Sequence, residues 1–293
     1  MDLLSSVATD LELDVVGTTR VTGGDFAQAY RFDLADGGAL FVKTHRNPPA
    51  HFFSTEATGL RWLHDAGSVA VPEVLASSDG DDGRPAYLAL SWIDGTGTPR
   101  DERVETAFGT ELAQLHQAGA DHFGRSDRRA TGSRALPNEP CTTWPEFYST
   151  QRLGPLVRIA IDESALPSAT CRDIEWCAEH LDEFGAHDEP AARLHGDLWA
   201  GNRLTDRSGS SWLIDPAVHG GHREFDLAMM RLFGGFGPAC FEAYQREAPL
   251  ADGWLDRVPL HQLAPLMVHA IKFGGSYVAA TQDAVRSIRQ IVG

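Results

Sequence analysis

The spacing of apolar residues changes once along this chain, and that change constrains the fold more than any other feature. The first part has the two-residue period of strands. Residues 15–21 are rich in β-branched side chains, Gly23 and Gly24 break the run, and residues 28–34 place Tyr30, Phe32 and Leu34 on one side. Asp36-Gly37-Gly38 is turn chemistry, and residues 39–43 return. This pattern predicts three antiparallel strands in a meander. A helix should follow, with Ser54 as its N-cap, Ala57, Leu60 and Leu63 as its buried stripe and Gly67 as its stop. Residues 71–75 and 86–93 read as two more strands around a polar loop at 77–83. Asp94-Gly95-Thr96-Gly97 reads as a hinge. Beyond it the period becomes helical: Ala107, Phe108, Leu112 and Leu115 share one face, and further helices are expected near 144–161, 168–184, 226–246 and 261–281. A β-rich first third before a helical remainder predicts an α+β protein of two lobes, 1–94 and 95–293.

Composition excludes several classes. With 42% hydrophobic and 23% charged residues, a chain of 293 builds an ordinary core without disulfides or metal staples. The four cysteines, Cys141, Cys171, Cys177 and Cys240, form no CxxC pair, which argues against zinc ribbons and redox motifs. No apolar stretch has the length of a membrane span, and the acidic N-terminus lacks the basic flank of a secretory signal. A cytoplasmic protein is expected. The formal charge of -16 repels nucleic acid and anionic membranes. It does not exclude phosphate ligands, because a local lysine, backbone amides and a metal bind phosphate on an acidic protein. No long heptad is present, so a monomer is expected.

Three local features carry chemistry, and their order matters. Gly23-Gly24 between two strands lets backbone approach a phosphate, or makes a plain hairpin. Lys43 at a strand end, followed by Glu56 on a helix, suits a phosphate-holding lysine fixed by an ion pair. The alternative is an exposed lysine and a glutamate favoured by the helix dipole. Residues 195–202, HGDLWAGN, have the H-x-D-x-x-x-x-N spacing of a kinase catalytic loop, and Trp212-Leu213-Ile214-Asp215-Pro216 follows as a strand ending in aspartate. In that arrangement Asp197 accepts the proton of an attacking hydroxyl, while Asn202 and Asp215 hold magnesium against the phosphates of ATP. An Asx-capped turn is the plain alternative.

The ordered segments GGDFAQAYRF, FVKTH, FFSTEATGLRWL, LHGDLWAGN and LIDPAVHGGHREFDLAM resemble the fructosamine kinase (ketosamine-3-kinase) family. That family sits in the protein-kinase-like group with aminoglycoside and choline kinases. The resemblance runs from about residue 15 to 277 and includes LAQLH and TWPEFYSTQRLGPL, while residues 124–140 are similar only loosely. It implies a protein-kinase-like fold: a small antiparallel-sheet N-lobe with one helix, and a larger, mainly helical C-lobe. It implies ATP and Mg2+ as cofactors. Gly23 and Gly24 would cover the nucleotide, Lys43 and Glu56 would serve its phosphates, and Ser91, Trp92 and Ile93 would line the adenine. Asp197 would be the base, with Asn202 and Asp215 as metal ligands. Trp199 would line a sugar-amine pocket, with His219, Glu224 and Asp226 near or supporting it. The implied reaction is phosphorylation of the 3-hydroxyl of a ketosamine, with a small sugar-amine or a glycated lysine as acceptor, and the implied biology is deglycation repair.

Some residues have structural readings of equal weight. Arg223 and Glu224 could form an ion-pair network that holds the following helix. Asp226 reads better as a cap or loop brace than as a catalyst, His116 as a core histidine, and Trp144, Phe147 and Tyr148 as packing. Two rival functions share parts of the pattern. One is the same chemistry on an aminoglycoside- or choline-like alcohol. The other is a metal-dependent phosphohydrolase built from His195, Asp197, Asp215, His219 and His222, which leaves Lys43, Glu56 and the glycines without a role. The full set of Lys43, Glu56, Asp197, Asn202 and Asp215 argues against an inactive nucleotide-binding module.

Overall fold

Alternating apolar residues build the first sheet, and the face on which each side chain lands decides which residues meet. The computed structural model describes residues 2–22, 27–80, 83–95, 101–130 and 135–292. Gly23 and Gly24, and the hinge at Thr96-Gly97, lie outside them. A helix α1 (Leu3–Leu11) opens the chain, capped by the Asp2 carboxylate on the Ser5 N–H. Strands β1 (Val15–Val21), β2 (Gln28–Leu34) and β3 (Ala39–His45) follow, then α2 (Phe52–His64), β4 (Val74–Asp79) and β5 (Ala86–Ser91). The five strands form one antiparallel sheet in the order β1-β2-β3-β5-β4. Phe32, Leu40, Val42, Tyr87 and Ala89 bury one face of it with Val7 of α1. Lys43, one residue after Val42, therefore points to the other face.

The helix α2 starts differently from its expected form. Ser54 lies inside the first turn, and His51 stands at the cap position with φ +61° and no capping side chain. The cap comes from another element: Asp79, at the end of β4, accepts from the Phe53 and Ser54 N–H groups, each at 3.1 Å. Strand β4 also runs later than its expected 71–75. Pro72 has no N–H for the ladder, whereas the polar Ser77, Ser78 and Asp79 are tolerated on an edge strand paired with β5.

Helices dominate after residue 101. They are α3 (Glu102–Gln117), α4 (Trp144–Phe147), α5 (Gly154–Asp162) and α6 (Ser168–Glu179). Between α4 and α5 the chain stays helical but widens into a π-turn over Tyr148–Leu153. A short strand β6 (Ala192–Leu194) precedes the HGDLWAGN loop, and the hairpin β7 (Arg203–Thr205) and β8 (Ser211–Leu213) follows it. Then come β9 (His219–Gly221), which pairs with β6, and α7 (Glu224–Phe233), α8 (Pro238–Glu247), α9 (Trp254–Phe273) and α10 (Ser276–Val292). The helix expected over 226–246 is thus two helices broken at the glycines after Phe233. The helix expected over 261–281 is the end of α9 and the start of α10. In α9, Pro259 and Pro265 lack an N–H, and the buried Tyr148 hydroxyl inserts into the backbone ladder, donating to the Leu260 carbonyl and accepting from Ala264 N–H.

Two compact units result: Met1–Pro99 with Arg203–Pro216, and Arg100–Asn202 with Ala217–Gly293. The β7–β8 hairpin belongs to the first unit because Leu213 N–H bonds to the Ala70 carbonyl and Asp206 bridges Gly95. The core of the second unit packs Trp144, Phe147 and Tyr148 with residues of α5, α6, α9 and α10. Those three rings are packing, each about 2% exposed. Among the described residues, no helix is long and apolar enough to cross a membrane.

Candidate active site

In the first unit, three charged residues from distant parts of the chain converge. Strand pairing sets Lys43 opposite Ala29 and Leu88, on the face that α2 approaches. Its ammonium lies 2.7 Å from Glu56 Oε1 and also bonds to Asp215 Oδ1. Burial pushes the Lys43 ammonium down, but the two carboxylates outweigh it and hold it above its ordinary value. Glu56 is raised, by burial and by the Asp215 charge, against the opposing pull of Lys43. Asp215 follows β8 with φ +54°, a left-handed conformation that strains a residue with a Cβ. Such strain costs roughly 1–3 kcal/mol and persists where the surroundings impose it. The lysine thus stands between a helix carboxylate and a carboxylate half open to solvent.

Residues 91–93 lie at the end of β5. Ser91 is engaged inside the sheet edge: its N–H donates to the Glu73 carbonyl and its hydroxyl accepts from Glu73 N–H. The Ile93 carbonyl accepts from Gly95 N–H, and the Trp92 indole donates to Asp94 beneath the Arg31 guanidinium.

In the second unit, the HGDLWAGN loop is shaped by its glycines. Gly196 has φ +81°, and a Cβ there would fall 2.1 Å from the Ala217 carbonyl oxygen. Asn202, at the end of a short 3-10 turn, donates from Nδ2 to the Asp197 carbonyl at 2.9 Å and to Asp197 Oδ2 at 3.1 Å. That orients the amide so that its Oδ1 lone pairs face another partner. Trp199 lays its indole over Gly201 and remains 41% exposed.

The loop is braced from below. Asp226, in the first turn of α7, accepts from His195 N–H at 2.8 Å and Gly196 N–H at 2.9 Å. His116 Nε2 lies 3.3 Å from the same carboxylate, and its Nδ1 lies 2.7 Å from the Tyr244 hydroxyl. Asp226 is fully buried; burial would raise its carboxyl, but the His116 hydrogen bond and charge outweigh burial and lower it. The brace predicted for Asp226 is what its contacts form.

His219 and Glu224 sit deeper than a substrate-lining position would place them. His219 donates from Nδ1 to the Ala217 carbonyl and stacks on Phe147, with centroids 5.4 Å apart. Burial and the Arg152 charge push it down to about 3, so it is neutral. Glu224, 1% exposed, pairs bidentately with Arg257 at 2.5 and 2.9 Å. Burial would raise Glu224, but His261 and Arg257 bring it down to about 2. Arg223 forms a second bidentate pair with Glu189. Both residues therefore make the ion-pair network that was one of their two readings.

His222, Glu224 and His261 converge with ligand-type atoms within 4.8 Å of one another. They do not suit a cation. His222 Nε2 donates to the Ala186 carbonyl while Nδ1 accepts from Glu224 N–H, and both Glu224 oxygens hold a guanidinium. His222 and His219 are likewise poor metal ligands for a phosphohydrolase. Sequence reasoning missed Arg152 and Arg257, buried arginines that follow polar neighbours, Gln151 and Asp256, and carry no local signal of burial. Arg152 lies in the π-turn over the Phe147 ring and holds the Pro137 carbonyl and Asn138 Oδ1.

The fructosamine kinase family matches residues 3–291. The chain belongs to that family. A relative from Enterococcus faecium assigned as a ketoamine kinase is 34% identical over 286 residues, covering 94% of this chain and 95% of the relative. A Thermobifida fusca crystal structure assigned as a fructosamine-3-kinase superposes with a TM-score of 0.89 at 39% identity, covering 99% of both chains. An amicoumacin kinase, solved in complex with AMP-PNP, Ca2+ and Ami, shares the fold at a TM-score of 0.60 and 15% identity, covering 100% of this chain and 93% of that one. The kinase-like α+β fold is therefore the fold of this chain. Membership makes it a phosphotransferase that acts on a hydroxyl group, with ATP as donor.

Proposed function

We propose that this kinase transfers the γ-phosphoryl group of ATP to the 3-hydroxyl of a ketosamine. The observation that carries the chemistry is the Asp197–Asn202 pair, in which Nδ2 anchors on Asp197 and leaves Oδ1 for a cation. Asp197 accepts the proton of the attacking hydroxyl. Lys43, held by Glu56, binds phosphate oxygens, and residues 23–24 and 91–93 contribute the nucleotide's remaining surroundings. For the last of these, the backbone of Trp92 and Ile93 is better suited than Ser91, whose N–H and hydroxyl are taken by Glu73. The Asn202 amide oxygen and the Asp215 carboxylate are hard oxygen donors and fit Mg2+. Bound there, magnesium would neutralise charge on the phosphates during transfer.

Ketosamine specificity rests on the near full-length family match and on Trp199, whose open indole suits a sugar-amine. His219 and Glu224 support that pocket from within the core instead of touching the acceptor. A 3-phosphate on a ketosamine promotes loss of the sugar, so the biological role is deglycation repair of a sugar-amine or a glycated lysine. The first unit serves the nucleotide and the second the acceptor. The four buried free thiols suit a reducing, cytoplasmic setting, and we assign a monomer. Phosphorus NMR of the product decides the regiochemistry: coupling to the proton on C3 is expected, and coupling elsewhere on the sugar would reject the 3-hydroxyl.

A further inference from the structure

Helices α3 and α8 meet at three matched levels. Glu105, 3% exposed, accepts from Gly237 N–H at 2.8 Å where α8 begins. One turn on, Gly109 faces the Cys240 carbonyl so closely that a Cβ would fall 2.1 Å from its oxygen. Two turns further, His116 Nδ1 lies 2.7 Å from the Tyr244 hydroxyl. Glu105, Gly109 and His116 share one face of α3, and Cys240 and Tyr244 share one face of α8. The missing side chain at Gly109 sets the two helices close, and that spacing brings the hydroxyl to the ring.

Phenylalanine would fill the space of Tyr244, which is buried. What the hydroxyl adds is the bond to Nδ1, and it is fixed from its other side too. Arg223 holds Glu189 through Nε and Nη2, the Ala248 carbonyl through Nη1 and the Pro249 carbonyl through Nη2. The same guanidinium bonds to the Tyr244 hydroxyl. Arginine only donates, so the Tyr244 oxygen accepts from it. The hydroxyl thus stands between a clamped guanidinium and the His116 ring.

In histidine, the bond made by one ring nitrogen decides what the other carries. His116 Nε2 lies 3.3 Å from Asp226 Oδ2, the oxygen that accepts from His195 N–H. With a hydroxyl at Nδ1, Nε2 carries a proton whether the ring is neutral or charged, because a hydroxyl serves Nδ1 as donor or as acceptor. Without it, the neutral ring can place its proton on Nδ1, and a bare Nε2 then faces the carboxylate.

We propose that Tyr244 is a positioning residue for phosphoryl transfer: its hydroxyl holds the His116 Nε2–H on Asp226, and through Asp226 it holds the backbone that carries Asp197. The inference rests on reading Asp197 as the base.

The test is a double-mutant cycle in kcat, run with magnesium, ATP and ribuloselysine, with melting curves confirming the fold. Tyr244→Phe should lower kcat about five- to ten-fold and keep both KM values within about two-fold, as for one lost hydrogen bond. His116→Gln supplies an amide N–H near the Nε2 position and needs no hydroxyl, so it should keep more activity than His116→Asn. Tyr244→Phe should add nothing to either. An unchanged kcat in Tyr244→Phe, or the same loss from it in the His116 variants, overturns the proposal. Packing alone would lower the melting temperature and leave kcat as it is. Nitrogen-15 NMR of histidine-labelled protein reads the ring directly, with His116→Gln identifying its signal. Wild type should show a protonated Nε2, and Tyr244→Phe should shift both ring nitrogens; an unmoved ring overturns the proposal even where no acceptor turns over. Wild-type kcat in Asp197→Ala would instead overturn the base. Wild-type inactivity on ribuloselysine, with the expected ring signature, would count against the acceptor alone.

Discussion

Replacing Glu224 by glutamine separates its two readings. The carboxylate is 1% exposed, holds Arg257 through both oxygens, and lies 3.3 Å from His261 Nε2. Its pKa of about 2 stands well below the ordinary 4.5. A depressed carboxylate stabilises the fold above its unfolded pKa, and that stability is lost as pH falls toward the folded value. At about 1.4 kcal/mol per pH unit, the gap is worth about 3 kcal/mol at pH 7. A second route agrees: Glu224→Gln leaves Arg257, 5% exposed, without its anion, and breaking a buried pair costs about 3–5 kcal/mol. That is a large part of a typical stability of about 5–15 kcal/mol. Urea unfolding of wild type and variant at pH 7 and pH 3 reads the effect. The loss should be about 3 kcal/mol or more at pH 7 and should shrink by about half at pH 3, where most of the linkage is gone. A loss under 1 kcal/mol at pH 7, or the same loss at both pH values, refutes the brace. A rise in acceptor KM with unchanged stability would restore direct substrate contact.

Two further perturbations address the catalytic loop and the lysine. Asp226→Asn keeps one acceptor but turns an NH2 toward a backbone N–H of His195 or Gly196; kcat should fall about ten- to a hundred-fold with little change in ATP KM, and an unaltered kcat would reject the brace. Lys43→Met leaves Glu56 beside Asp215 without its cation, so ATP KM should rise. Glu56, already raised, should move further up, and stability should then fall as pH rises, because the folded state holds a proton that the unfolded chain releases. Melting at pH 5.5 and pH 8 checks this, and a pH-independent penalty would contradict it.

The parts of the fold set by local pattern were legible. Strands β1 and β2 match their expected bounds because β-branched residues and a two-residue period decide them locally. The HGDLWAGN loop carries part of its own geometry, since Asn202 bonds to Asp197 within it, while Gly196 answers to the Ala217 carbonyl from outside. Helix α1 is not among the expected elements, although Leu3, Val7 and Leu11 stand at helical spacing. What is not carried locally depends on distant partners. Ser54 looks like a cap until Asp79 arrives from β4 to take that role. His219 and Glu224 follow Asp215 closely enough to suggest a substrate role, yet Phe147, Arg152 and Arg257 enclose them from remote helices. Nothing local to Glu224 announces Arg257.

The most direct test of the central claim is acceptor-dependent ADP release with magnesium and ATP. Wild type and Asp197→Ala are assayed against ribuloselysine, fructoselysine, kanamycin, choline and no acceptor. Turnover by wild type on a ketosamine alone, reduced about 10²- to 10⁴-fold in Asp197→Ala with ATP still bound, is the expected result. Turnover only on kanamycin or choline would discard the ketosamine assignment, and wild-type rates in Asp197→Ala would contradict the catalytic assignment.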